Sequence, residues 1–200
     1  MPHMEPLARE DLPELEDLFR RYDETLSFVP NSLYTMSRRP EIMRTLSDLI
    51  TAAWRTGTVP PGLKPLVGIV ASRAAGCRYC QAHEAVDAQM RGVDQEKIAA
   101  IWEFETSPLF SDAERAALRF ARDASLVPNA VTEEHFEELR RHWDDGEIVE
   151  ILAIVSIFGF LNRWNDSMAT QLEEIPTGFA TETYGSSWEP GKHVAGGPDG

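Results

Sequence analysis

Apolar residues recur at helical spacing along this chain, in stretches separated by prolines, glycines and acidic caps. Leu15, Leu18, Phe19 and Tyr22 lie three and four apart among acids and arginines, which predicts an amphipathic helix over 13–26 with its stripe in the core. Phe28-Val29-Pro30-Asn31-Ser32 breaks that pattern and caps a short helix from Ser32 onward. Pro40 suits the first turn of the next helix, whose Ile42, Met43, Leu46, Leu49 and Ile50 keep the period. The consecutive prolines of Thr58-Val59-Pro60-Pro61-Gly62 exclude regular helix, so a loop is expected there. An apolar helix then leads to Gly76, and a more polar one runs from Cys77 to about Arg91, where Gly92 is a C-terminal cap.

Asp94 opens a further helix carrying Ile98, Ile101 and Trp102, and Ser111 with Glu114 has capping-box spacing for a helix through Leu118 and Phe120. Thr132, Glu133 and Glu134 open one that ends near His142; His135 and His142 read as ordinary surface histidines. The segment 147–172 is the most apolar, expected in the core or at an oligomer interface, and its Glu150, Asn162, Arg163, Asn165 and Asp166 need partners if buried. Residues 176–200 are rich in Gly, Pro, Ser and Thr and lack a helical period. They read as an extended tail whose Phe179, Tyr184 and Trp188 anchor it across its own subunit or a neighbour.

A formal charge of −14, with lysines and arginines scattered, repels phosphate backbones and anionic membranes, so neither nucleic acid nor a membrane surface is expected as a partner. The apolar run Ile148 to Leu161 contains Glu150 and is too short to span a bilayer. Met1-Pro2-His3-Met4-Glu5-Pro6 lacks a basic segment followed by an apolar run, so no signal peptide is expected, and the cytoplasm is the expected location. Its reducing conditions would keep thiols free between turnovers.

The candidate chemistry lies in Gly76-Cys77-Arg78-Tyr79-Cys80-Gln81-Ala82-His83-Glu84, which holds both cysteines of the chain. His83 follows Cys80 by three residues and shares its helical face, within reach of its proton. Two thiols at this spacing can close a disulfide or hold a metal. A structural zinc site usually takes four ligands, often with a second Cys or Cys/His pair, and no other cysteine exists; His83 and Glu84, about 100° apart on a helix, complete a set only on irregular backbone. Redox chemistry is therefore favoured over metal, and Gln81 stands where a haem-attachment motif needs histidine. Polar neighbours weigh against two inert core cysteines. A thiolate near a helix N-terminus, Arg78 and a protonated His83 would have a lowered pKa. It could attack a peroxide to give a sulfenic acid, which the second cysteine condenses to a disulfide.

Cys77-Arg78-Tyr79-Cys80 with Gln81-Ala82-His83, preceded by the helical stretch Leu66 to Gly76, resembles the AhpD-like alkylhydroperoxidases of the carboxymuconolactone decarboxylase superfamily. Phe28 to Ser32, Glu147 to Ile151 and Phe160 to Arg163 are similar to its peroxidase-related subgroup, so the resemblance covers roughly 15–175. It implies an all-α, AhpD-like helical bundle as one domain over 1–175, followed by the tail 176–200. It also implies a homo-oligomer (dimer, trimer or hexamer), a hydroperoxide substrate and an external dithiol reductant or reductase, with neither cofactor nor metal. In the family Cys80 would be attacked by peroxide and Cys77 would resolve, whereas the helix-terminus argument alone makes Cys77 the more acidic thiol.

Two departures follow. The family's glutamate about three helical turns before the first cysteine falls here at Pro65, and its histidine four residues after the second is Glu84. His83 and Glu84 must then carry the proton relay. Laid over the dithiol segment, 147–166 reads as a degenerate internal repeat of helix pairs, with Pro65 on Glu147, Cys80 on Asn162, His83 on Asn165 and Glu84 on Asp166. That makes Glu150, Asp166 and Asn162 candidate relay residues. The leading expectation is a thiol-dependent peroxidase. The alternatives are decarboxylation of a small lactone, which needs no Cys-x-x-Cys pair, and a non-catalytic redox-sensing module.

Overall fold

The protein is represented by a computed structural model that describes residues 2–194. Ten α-helices and no strand occur among these residues: α1 Glu16–Leu26, α2 Asn31–Met36, α3 Pro40–Arg55, α4 Leu63–Ala75, α5 Arg78–Met90, α6 Gln95–Ala99, α7 Asp112–Ala124, α8 Glu133–Leu139, α9 Asp145–Met168 and α10 Glu174–Tyr184. The all-α expectation holds, and helix starts fall close to the caps read from the sequence. Ser111 and Asp144 each close a capping box, with Glu114 and Glu147.

α4 is the central element. It is buried continuously from Leu63 to Ser72 and packs on α5, α9 and α7. A helix apolar on every side belongs inside a bundle. Gly76 ends it at φ 80°, a left-handed position that suits glycine, and the Cys77 N–H returns to the Ser72 carbonyl at 3.0 Å. The chain thus turns directly into α5. A second apolar cluster joins α1, α2 and α3, and Ile50 and Leu161 pack against both clusters.

A charge lies inside this core. Lys64 is 2% exposed and donates to the carbonyls of Ala53 (2.9 Å) and Thr56 (3.1 Å), while its ammonium pairs with Glu150. Glu150 also accepts from the Thr58 and Val59 N–H groups. The set ties the loop before α4 to α9 and satisfies both buried ions with several hydrogen bonds. No helix among the described residues is long and apolar enough to cross a membrane.

Three expectations need correction. The segment after 173 is not an extended tail: α10 packs on α5, burying Pro176, Ala180 and Tyr184, and Trp188 is buried beyond it. Its apolar residues are too sparse for a strong period, and contact with α5 stabilises the helix instead. Residues 195–200 of the expected tail lie outside the described residues. The alignment of 65–84 on 147–166 sets two helices against one, since α9 is unbroken where Gly76 and Cys77 separate α4 from α5. Finally, His135 is no ordinary surface histidine. Its Nε2 lies 2.9 Å from Asp123, and its Nδ1 accepts from the Thr132 N–H at the start of α8.

Candidate active site

Cys77 is the N-cap of α5 and Cys80 lies one turn in, so both sulfurs sit at the amide end of a helix, under the core. Both are free and buried. The Cys80 S–H hydrogen bond, reinforced by His193 and by the Cys80 backbone amide, brings the Cys77 thiol down to about 6, against the effect of burial. Burial, then the neighbouring Cys77, pushes Cys80 well up. At neutral pH the resting pair is therefore a Cys77 thiolate accepting a hydrogen bond from a Cys80 thiol. The Asn165 amide of α9 also donates to Cys80 Sγ at 3.4 Å.

Cys80, and not Cys77, lines a cavity of about 460 Å³. Its walls are largely apolar and aromatic, with Tyr22, Phe28, Trp54 and Phe158 among them, and His83 and Glu84 face it beside the sulfur. Glu84 is half-buried, with its Oε2 enclosed and making no hydrogen bond among the described residues. Burial, then the charge of Asp87, raises its pKa well above the usual carboxylate value, which favours the protonated acid. It has room only because position 68 is glycine. A Cβ there would lie 2.5 Å from the Phe158 ring and 2.9 Å from Glu84 Oε2.

His83 is held by a residue that the sequence did not mark. Its Nε2 is 2.7 Å from Glu173, just before α10, which also accepts from the Tyr79 hydroxyl at 2.9 Å and from the Asn31 N–H. Burial alone would raise Glu173; the His83 charge and hydrogen bonds keep it below the usual value, so it is a carboxylate. The His83 ring stacks on Tyr79 at 4.3 Å and meets Phe28 edge-on.

Cys80, His83 and Glu84 line one cavity with Cys77 behind them, and the Nε2 of His83, expected at the Cys80 proton, is bonded to Glu173 instead. The remote candidates do not all join them. Glu150 is engaged by Lys64 and the loop at 58–59, which corrects its expected place at the dithiol. Asp166 pairs with Lys192 at 2.8 Å and approaches His193 rather than Cys80. Asn162 is buried, with neither amide atom hydrogen-bonded among the described residues, while Asn165 makes the contact to Cys80. His193 and Glu173 were not anticipated. Glu173 lies 90 residues from His83 and His193 lies 23 from Thr170, beyond the reach of helical spacing, and a lone histidine or glutamate in a polar segment carries no local periodic signal. No group of three or more His, Cys, Asp or Glu that could hold a metal occurs among the described residues.

An all-helical bundle with a buried dithiol at a helix start, opening through one sulfur into an apolar cavity, defines a class of helical dithiol proteins. The profile of the carboxymuconolactone decarboxylase family matches residues 40–123. The debrominase Bmp8, in the crystal structure of a cysteine-to-alanine variant with 2,3,4-tribromopyrrole, is 37% identical, with 92% of this chain and 98% of that one covered at a TM-score of 0.86. The chain belongs to the carboxymuconolactone decarboxylase family. A peroxidase-related protein of Ralstonia eutropha JMP134 shares the fold, with a TM-score of 0.79, 21% identity and coverage of 90% and 95%. Protein YnjA of Escherichia coli (strain K12) is 27% identical over 152 residues, covering 74% of this chain and 80% of YnjA.

Proposed function

We propose that this chain is a dithiol-dependent reductase whose acceptor is an organic hydroperoxide. One observation carries the reading: two buried free thiols at the start of α5, of which Cys80 opens into an apolar cavity with the carboxyl of Glu84, its pKa raised by burial, on the same wall. As substrate enters, the Cys80 proton passes to Cys77 along their hydrogen bond, and the Cys80 thiolate attacks the terminal peroxide oxygen. The O–O bond breaks, and Glu84 protonates the departing alkoxide, which is a poor leaving group unprotonated. Cys80 becomes a sulfenic acid. Attack by Cys77 on its sulfur forms the disulfide and releases water, giving ROOH + 2 SH → ROH + H2O + S–S overall. An external dithiol must then reopen the disulfide. Asn165 orients Cys80, and Glu173 with Tyr79 orients His83 at the cavity wall.

A second acceptor is favoured by the identity with Bmp8 over nearly its whole length. In a halogenated aromatic ring Cys80 would take the halogen while the ring carbon gains a proton. Attack by Cys77 then expels halide, giving Ar–X + 2 SH → Ar–H + S–S + HX. The same two electrons are supplied in either case.

One measurement tests both. The reduced chain is mixed with one equivalent of cumene hydroperoxide or, separately, of a brominated pyrrole, and thiols and intact mass are followed. Loss of both thiols with two hydrogens gone and no added oxygen is expected, together with the alcohol or the debrominated ring as product, and Cys80→Ala should abolish it. Persistence of both thiols with both acceptors would overturn the reductase reading.

A further inference from the structure

The cavity that begins at Cys80 continues past the reacting groups, along α5. Cys80, His83, Glu84, Asp87 and Arg91 line it at spacings of three and four, so they share one face of the helix. By the helical rise, Asp87 stands about 10 Å and Arg91 about 16 Å beyond Cys80. The far end is tied to α3: the Trp54 indole N–H donates to Asp87 Oδ2 at 3.0 Å, and Arg91 Nε donates to the same oxygen at 2.7 Å. Arg55, the last residue of α3, follows Trp54 and lines the same cavity. The ends of α3 and α5 therefore bring two guanidinium groups to the mouth, away from the thiol.

Neither guanidinium is fully engaged. Arg91 meets Asp87 through Nε alone, and both Nη atoms of its fork lack an acceptor among the described residues. The exposed Arg55 side chain makes no hydrogen bond or ion pair among them. In a chain of net charge −14, Arg21, Arg55 and Arg91 outnumber the two carboxyl groups of the lining, Glu84 and Asp87, and Asp87 is already paired. Met90, beside Arg91 and in the lining, is 51% exposed although apolar. An arginine fork matches a carboxylate, and an apolar cleft with a few convergent charges suits an amphiphile.

We propose that this mouth is an anion subsite, where Arg55 and Arg91 hold the carboxylate of an extended apolar substrate whose reacting end reaches Cys80. The inference rests on the reductase reading and narrows its acceptor. A carboxylate about 10–16 Å from the reacting atom describes the hydroperoxide of a long-chain fatty acid, whereas a single halogenated ring at Cys80 is too short to meet both ends. Met90 covers the methylenes next to the head group. Arg55 and Arg91 act on specificity, remote from bond breaking, and the carboxylate is unchanged by the reaction.

The test uses the full reduced chain and two probes that differ only in charge, 13-hydroperoxyoctadecadienoic acid and its methyl ester, below micelle-forming concentrations. Thiol loss should be faster with the acid by about 10- to 100-fold in kcat/KM, mainly through KM, and added salt should shrink the ratio. In Arg55→Gln and in Arg91→Gln the acid-to-ester ratio should fall toward one; the Arg55 variant keeps the test open if freeing Asp87 prevents the other from folding. Equal rates for acid and ester in the parent, or a parental ratio in whichever variant folds, would overturn the subsite. Failure of the reductase reading is seen separately, as thiols that persist with both probes and with cumene hydroperoxide. Binding then decides: in Cys77→Ser, where Cys80 is the remaining thiol, oleate should slow alkylation by iodoacetamide more than methyl oleate does, and equal protection would again overturn the subsite.

Discussion

Glu84, the acid of the proposed mechanism, would serve catalysis at a cost in stability. A carboxyl whose folded pKa is raised contributes stability below its unfolded value, about 4.3, that is lost as pH rises through the folded value. Glu84→Gln should therefore unfold at an equal or higher temperature than the parent, with the difference growing toward alkaline pH. Its turnover should fall by about 100-fold, because an amide cannot protonate the leaving oxygen. Thermal unfolding and turnover over a pH series check both signs; a variant as active as the parent would remove Glu84 from the mechanism. Cys77 sets the opposite limb. Its depressed titration makes the thiolate dominant above about 6 and lost as pH falls through that value, so single-turnover oxidation should fall away there. The pair Cys77 and Cys80 was legible in the sequence because their spacing on a helix leaves few other uses. Which of them holds the resting charge was not, since that depends on burial, on the S–H hydrogen bond and on His193.

Among the elements, α4 does most to shape the site, although it supplies no reacting group. Gly68 allows Phe158 and Glu84 to approach its backbone, and the cavity floor depends on that closeness. Gly68→Ala should destabilise the fold by about 1–3 kcal/mol and reduce turnover, as the added methyl must displace the ring or the carboxyl. Equal thermal stability and activity would show that the neighbours give way freely. One residue before the place where the family glutamate would fall, Lys64 carries a buried ammonium that meets Glu150 from α9. Lys64→Met leaves that carboxylate buried without its ion, and a loss of about 3–5 kcal/mol is expected in chemical denaturation. Helix positions were readable from period and caps because those signals are local. The Lys64–Glu150 pair was not, for 86 residues separate its members and only packing brings them together.

For the molecule as a whole, apolar side chains remain outside the bundle: Val149, Leu152 and Phe160 along α9, Ile42 and Leu49 along α3. The expected homo-oligomer would cover such a face. Sedimentation of the parent should then give a mass above that of one chain, and Phe160→Glu should lower it; a parent that sediments as a single chain would sink the idea. The sequence settled the helical class and the starts of most helices and singled out the candidate pair Cys77 and Cys80, since periodicity, caps and the Cys-x-x-Cys spacing act within a few turns of chain. Folding in three dimensions settled the rest. It turned a polar C-terminal stretch into α10 and a buried turn, and brought Glu173 to His83 and His193 to the Thr170 carbonyl. It also drew Glu150 away from the dithiol to Lys64. The reason is physical: a buried polar group must find a partner, and that partner is chosen by which surfaces pack together, not by distance along the chain.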